Sequence, residues 1–286
     1  MLDFSWAELL IILAVAVFVI GPKDIPNMMY GLGRIVKRFQ YIKFAISQQF
    51  DEVMQSHDIE ELRRGVNIEA PPMEAHGHDP KGGHDIVDIT TLYQRIAEPY
   101  ALAFQEPSDH IDSFIELLPK GAKVLDVGCG NGMDAFYLEE KGFAVKAFDL
   151  SEEMLEYAKA RESKVDFEKA DLKDFEYGTE EYDGIIASYS LIHLFKEDVP
   201  RVLSKIYEGL KPGGSFFVGV QSGEPAELYV DEPMAAHTRF FLNVFGKEEL
   251  EKNLEDAGFE FIKSFERPSQ SEDELAYTKL CVMARK

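Results

Sequence analysis

Residues 86–286 predict an α/β domain built on a mainly parallel sheet. Two observations carry this. From Ile86 onward, short apolar runs of strand length alternate with segments of helical pattern, the arrangement that a parallel sheet with crossover helices requires. Within that stretch the run Lys123-Val124-Leu125-Asp126-Val127 ends at Gly128-Cys129-Gly130-Asn131-Gly132, and Met133 to Lys141 then reads as a helix. Strand, glycine turn and helix in that order let backbone approach a ligand closely at the carboxyl end of a strand.

Composition bounds the rest. At 286 residues and 45% hydrophobic, the chain can fill a sizeable core. Its formal charge of −22 is uneven: residues 1–70 hold 7 Lys and Arg against 9 Asp and Glu, so nearly all the excess lies beyond them. That part repels phosphate backbones overall, and no nucleic-acid partner is expected. The two cysteines, Cys129 and Cys281, give no disulfide framework and fit a reducing compartment. Both read as small apolar residues.

The composition changes along the chain. Residues 1–21 are mostly apolar, 22–66 are helical in pattern with mixed charge, and 67–85 are rich in Pro, Gly and His without a period, the mark of a linker. His76, His78 and His84 fall there without a cysteine or carboxylate frame. A solvated linker is the favoured reading, and no metal is expected.

Leu9 to Ile20 is an uninterrupted apolar run, shorter than the usual bilayer span of about 20 residues. Asp3 and Glu8 precede it without Lys or Arg, and no small-x-small cleavage site follows, which argues against a signal peptide. Gly21-Pro22 ends the run as a hinge. Then Met28, Leu32, Ile35, Phe39, Ile42 and Ile46 fall on one helical stripe, with Arg34, Lys37 and Arg38 opposite. This is the pattern of a helix lying in a membrane interface; a soluble amphipathic helix packed on a core is the competing reading.

Glu8 with Leu9-Leu10, the elbow Gly21-Pro22-Lys23-Asp24-Ile25-Pro26, the amphipathic helix and the charged tract from Phe50 to Arg64 resemble the A/B small-subunit family of the twin-arginine protein translocase, the B subunit more than the A. Ile25 stands where that family usually has Leu. The resemblance covers about residues 1–66. It implies a short transmembrane helix, an amphipathic helix and the large membrane subunit of the translocase as a partner. Basic residues follow the apolar run, so the positive-inside bias expects a single-pass inner-membrane protein with its N terminus outside and residues 86–286 cytoplasmic. Glu8 is then a contact with a polar group of a membrane partner, or else snorkels to the interface.

In the larger domain Met133 stands where a dinucleotide site would have its third glycine. The tight G-x-G-x-G form resembles the first motif of the class I S-adenosylmethionine (SAM) methyltransferases, whose Rossmann-like seven-stranded sheet with flanking helices the resemblance implies. Later segments agree. Ala144–Asp149 is a second strand ending in an acid, 21 residues after Gly128, where a carboxylate can accept hydrogen bonds from ribose hydroxyls. The segments 166–172, 182–188, 215–220 after the turn 210–214, 259–265 and 276–284 resemble the remaining strands, the last inserted antiparallel. Tyr93 to Tyr100 resembles the N-terminal cap over the cofactor. The resemblance thus implies SAM contacts at Tyr93, Tyr100, Asp126, Gly128, Gly130, Asn131, Gly132, Asp149, Leu150, Met154, Asp171, Leu172 and Ser188. Plainer readings stand beside these: Asp149 as a helix N-cap, Asp171 as a solvated turn residue, Tyr93 and Tyr100 as packing for the cap helix.

Methyl transfer from a sulfonium depends mostly on positioning, and a base is needed only where the nucleophile must lose a proton. His193 and His237 are the candidate bases. Tyr229 and Arg239, in the long stretch 222–240 after the fifth strand, are candidate contacts to a small-molecule methyl acceptor, and Arg239 suits an acidic group on it. A membrane-tethered methyltransferase is the expected function. A protein-export subunit with the methyltransferase fold as passenger or SAM sensor is the alternative.

Overall fold

The computed structural model describes residues 85–286, Glu272 excepted. The expected transmembrane and amphipathic helices, Glu8, the Gly21-Pro22 hinge and the linker histidines lie outside the described residues. Within them, no helix is long and apolar enough to cross a membrane.

In chain order the elements are β1 (Asp85–Val87), α1 (Ile89–Ala103), α2 (Ile111–Ile115), β2 (Lys123–Val127), α3 (Met133–Glu140), β3 (Ala144–Asp149), α4 (Glu152–Lys159), β4 (Asp166–Lys169) and β5 (Tyr182–Ser188). A 3₁₀ turn at Leu191–His193 leads to α5 (Val199–Gly209), β6 (Leu210–Ser222), β7 (Ala226–Asp231), β8 (Thr238–Val244), α6 (Lys247–Asp256), β9 (Glu260–Arg267) and β10 (Thr278–Arg285).

Seven strands form one mixed sheet in the order β4-β3-β2-β5-β6-β10-β9. The first five are parallel, and β10 runs antiparallel between β6 and β9. Alternate residues feed opposite faces, as strand geometry demands. Leu125, Val127, Ile185, Ala187, Phe216 and Val218 pack in one core with Leu203 and Ile206 of α5. Val124, Ala147, Ile186 and Phe217 pack in the other with Phe114 of α2 and Ala135 and Leu138 of α3. The mixed sheet with flanking helices fits the Rossmann-like arrangement that the methyltransferase resemblance implies.

Two details differ from the pattern. The fifth parallel strand begins at Leu210, inside the expected turn, because Leu210 is buried and pairs with Tyr182 before a register shift. The stretch after it is not irregular. β7 and β8 pair antiparallel, and β1 adds to β8 in parallel, making a separate three-stranded sheet. Thr238, Phe240, Leu242 and Val244 of β8 are buried at alternate positions, and Asn243 is buried beside them.

What positions the site is strand order. After β2 the chain moves outward to β3 and β4, then returns to β5 on the other side of β2. Such a switch point opens a crevice at the carboxyl ends of the strands, where ligands of open α/β sheets bind.

Candidate active site

The loop after β2 is shaped by close approaches. Gly128, Gly130 and Gly132 all have positive φ, at 71°, 54° and 81°, which glycine adopts without strain. A Cβ on Gly128 would lie 2.5 Å from Cβ of Ser190, and one on Gly132 would lie 3.0 Å from the Phe136 ring. A Cβ on Gly130 would make only ordinary contact, 3.8 Å from the Tyr100 ring. The Gly130 N–H donates to Asp149 Oδ2 at 2.8 Å, while the Ser151 N–H donates to Oδ1 at 2.8 Å. Asp149 is thus fixed at the end of β3 and ties the glycine loop to the start of α4. The N-cap of that helix is Ser151, not Asp149.

Two cavities open along the crevice. The larger, about 340 Å³, is lined by Asp126, Asn131 and Asp134; the smaller, about 140 Å³, by Asp149, Leu150, Asp171 and Leu172. They meet at Tyr93, Tyr100, Gly128, Gly130, Ser188 and His193, which line both. The structure therefore gathers twelve of the residues singled out from the sequence around one crevice. Gly132 and Met154 line neither cavity, and Met154, on α4, is fully buried.

Charge in the crevice is unbalanced. Burial raises the pKa of Asp126, Asp134 and Asp149 above the ordinary carboxylate value. Oδ2 of Asp126 is buried without a hydrogen-bond partner. Asp134 accepts from the N–H and hydroxyl of Ser108, both at 2.6 Å, and the Ser108 hydroxyl also meets that of Ser188 at 2.6 Å. Asn131 donates to the Phe104 carbonyl at 2.7 Å, holding the glycine loop against the end of α1.

His193 sits where the cavities join. Its Nε2 lies 3.1 Å from the Tyr93 hydroxyl, and its ring packs against Tyr93 and Phe240. Burial lowers its pKa to about 4, so the imidazole is neutral at physiological pH.

The other acceptor-side candidates lie elsewhere. His237 is an exposed turn residue with φ 57°. The Arg239 guanidinium donates to the Tyr229 carbonyl at 2.7 Å and pairs with Asp231 at 3.4 Å. None of His237, Tyr229 and Arg239 lines either cavity. Part of the larger cavity is walled instead by residues that the motifs did not single out: Glu232, Met234, Phe240, Arg267, Glu274 and Lys279. The alternation at 238–244 was the one sequence signal for part of this wall.

Residues 124–214 match the methyltransferase domain family, and residues 2–45 match the mttA/Hcf106 family. The chain is 31% identical over 170 residues to phosphoethanolamine N-methyltransferase 3 of Arabidopsis thaliana, covering 58% of this chain and 34% of that one. Near the N terminus it is 34% identical over 67 residues to the Sec-independent protein translocase protein TatB of Rhizobium meliloti, covering 23% and 31%. Among solved structures, a SAM-dependent methyltransferase from Methanosarcina mazei shares the fold at a TM-score of 0.55 and 17% identity, over 63% of this chain and 98% of that one. The chain spans 62% or less of the length of the first curated relatives that it matches.

Proposed function

We propose that this chain, which carries a methyltransferase domain behind an N-terminal segment of the mttA/Hcf106 family, transfers the methyl group of SAM to a small-molecule acceptor. The observation that carries this is a trio of desolvated acids around a glycine loop at the switch point: buried Asp126 and Asp134 and half-buried Asp149, none of which has a cation partner among the described residues. A ligand with a sulfonium and an ammonium fits such a crevice, and a neutral or anionic nucleotide fits it poorly.

In this reading Asp149 receives the ribose hydroxyls, and Leu150, Asp171 and Leu172 bound the adenine end in the smaller cavity. Asp126, with its unpartnered oxygen, and Asp134 balance the positive amino-acid end. Gly128 and Gly130 supply backbone without bulk. Tyr93 and Tyr100 roof the junction. SAM supplies a methyl group already activated on sulfur. The protein's task is then to align the acceptor and exclude water, which can contribute about 7–11 kcal/mol in favourable cases. His193, neutral and hydrogen-bonded to Tyr93, is placed to take a proton from the acceptor.

The test is methyl transfer itself. Full-length protein with methyl-labelled SAM and a small-molecule extract should label a discrete product; label only in macromolecules, or none, would refute the proposal.

A second reading rests on residues 2–45. We infer that this segment tethers the chain at a membrane as a single pass, with the N terminus outside, and that it engages the large translocase subunit through Glu8. If protein export is the main task, residues 1–70 should rescue a strain lacking TatB, and changing Glu8 should abolish rescue. Failure to rescue would leave tethering as the segment's role.

A further inference from the structure

The larger cavity is also lined by a cluster of opposite charges that pair with one another. The Arg267 guanidinium donates to both carboxylate oxygens of Glu274, at 2.9 and 2.8 Å, and also bonds Asp109. Buried Lys279 donates to the Gln221 side chain at 2.8 Å and the Leu275 carbonyl at 2.6 Å, and lies 3.9 Å from Glu274. Both cations that line this cavity are therefore engaged by the protein itself, and neither is open to an anionic group on an acceptor.

Glu232, which lines the same cavity, is not paired in this way. It follows β7 directly, lines the larger cavity and is largely buried. Its carboxylate accepts one hydrogen bond, from the Met234 N–H at 3.0 Å, and among the described residues no cation pairs with it. Its charge is felt by the hydroxyls of both Tyr93 and Tyr100, the residues that roof the crevice junction. Burial lifts its carboxyl to about 7, the condition of an acid that lacks a counter-charge.

We propose that Glu232 is a specificity residue that selects acceptors bearing a basic amine, its carboxylate pairing with their ammonium beside the apolar surface of Met234 and Phe240. This rests on the methyltransferase reading and narrows its substrate class. It also separates this site from one that takes a phosphorylated amine, because the cavity's cations are already paired.

Full-length protein loaded with S-adenosylhomocysteine tests it by titration with matched probes on one carbon frame: 2-phenylethylamine, 2-phenylethanol and phenylacetate, and likewise butylamine, butanol and butyrate. In at least one set the amine should bind about tenfold or more tighter than its partners, the scale of one charge-assisted hydrogen bond. Glu232→Gln should erase that gap, and Glu232→Lys should reverse it toward the carboxylate. Unchanged S-adenosylhomocysteine affinity in both variants would show that they fold. An amine no tighter than its alcohol in every set overturns this proposal, as does a preference that survives Glu232→Gln. A wild-type protein that fails to take up S-adenosylhomocysteine overturns the methyltransferase reading with it.

Discussion

The hydroxyl of Tyr93, on α1, lies 3.1 Å from Nε2 of His193, on the turn after β5. This contact joins the helix that covers the crevice to the strand end beneath it, and it orients the imidazole at the junction of the two cavities. His193→Ala is expected to lower kcat about 100-fold, the lower range for a lost general base. Tyr93→Phe, which keeps the ring and loses the orienting bond, should cost about tenfold. Single-turnover rates with saturating SAM would check both, and an unaffected rate in His193→Ala would remove it from the chemistry.

The same histidine sets a pH expectation. Because burial lowers its pKa to about 4, the base form persists throughout neutral pH, and the acid limb of kcat should fall near 4. A limb centred at 6.5, the value of an exposed imidazole, would contradict the burial.

Stability should respond to pH in two opposed ways. The unfolded chain protonates His193 at about 6.5 and the folded chain only near 4, so its contribution is complete above 6.5 and fades as pH falls toward 4. Glu232 runs the other way. Its folded carboxyl holds its proton up to about 7 against 4.5 unfolded, so stability drains as pH rises through that window. Glu232→Gln should therefore raise stability at pH 8.5, by about 1–2 kcal/mol after allowance for partial exposure, and change it little at pH 4.5. Melting temperatures at the two values decide it, and equal shifts at both would argue against a charge effect.

Gly128 and Gly142 both have positive φ, yet a Cβ on Gly128 meets Ser190 at 2.5 Å, whereas one on Gly142 meets nothing within 4 Å. Gly142→Ala should cost about 1–2 kcal/mol from backbone strain alone. Gly128→Ala adds overpacking of about 1–3 kcal/mol and displaces the loop, so S-adenosylhomocysteine binding should fall with it. Denaturant titration of the pair separates the two costs; equal losses would mean that the close approach is relieved cheaply.

Arg267 ties Asp109, before α2, to Glu274, between β9 and β10, at the cavity wall. Burial works against the charged form of Glu274, but its bonds to Arg267 outweigh this and hold its pKa below the usual value. Arg267→Ala leaves that carboxylate with only the more distant Lys279, at 3.9 Å, and should destabilise by about 2–4 kcal/mol. Arg267→Lys, without the planar fork, should recover only part of it.

The sheet was legible because each parallel strand is an apolar run closed by a turn, and Asp149 because it ends one at the right distance from the glycine loop. The charged lining of the larger cavity was not. Asp109 and Glu232 come from segments remote from the stretch that holds Arg267, Glu274 and Lys279, and each alone reads as a solvated charge. His237 and Arg239 looked suitable by residue type. β8 turns the Arg239 guanidinium toward Tyr229 and Asp231, and the turn leaves His237 exposed. Spacing announces a glycine loop; burial and pairing of distant charges appear only when the chain is folded.

SAM binding at the crevice formed by Gly128, Gly130 and Asp149 underlies every step proposed above. Isothermal calorimetry of the full-length protein with S-adenosylhomocysteine tests it most directly. A Kd in the micromolar range, on the order of −8 kcal/mol, is expected, with a loss of tenfold or more in Asp149→Ala. No binding by the wild-type protein, or equal affinity in the variant, would contradict it.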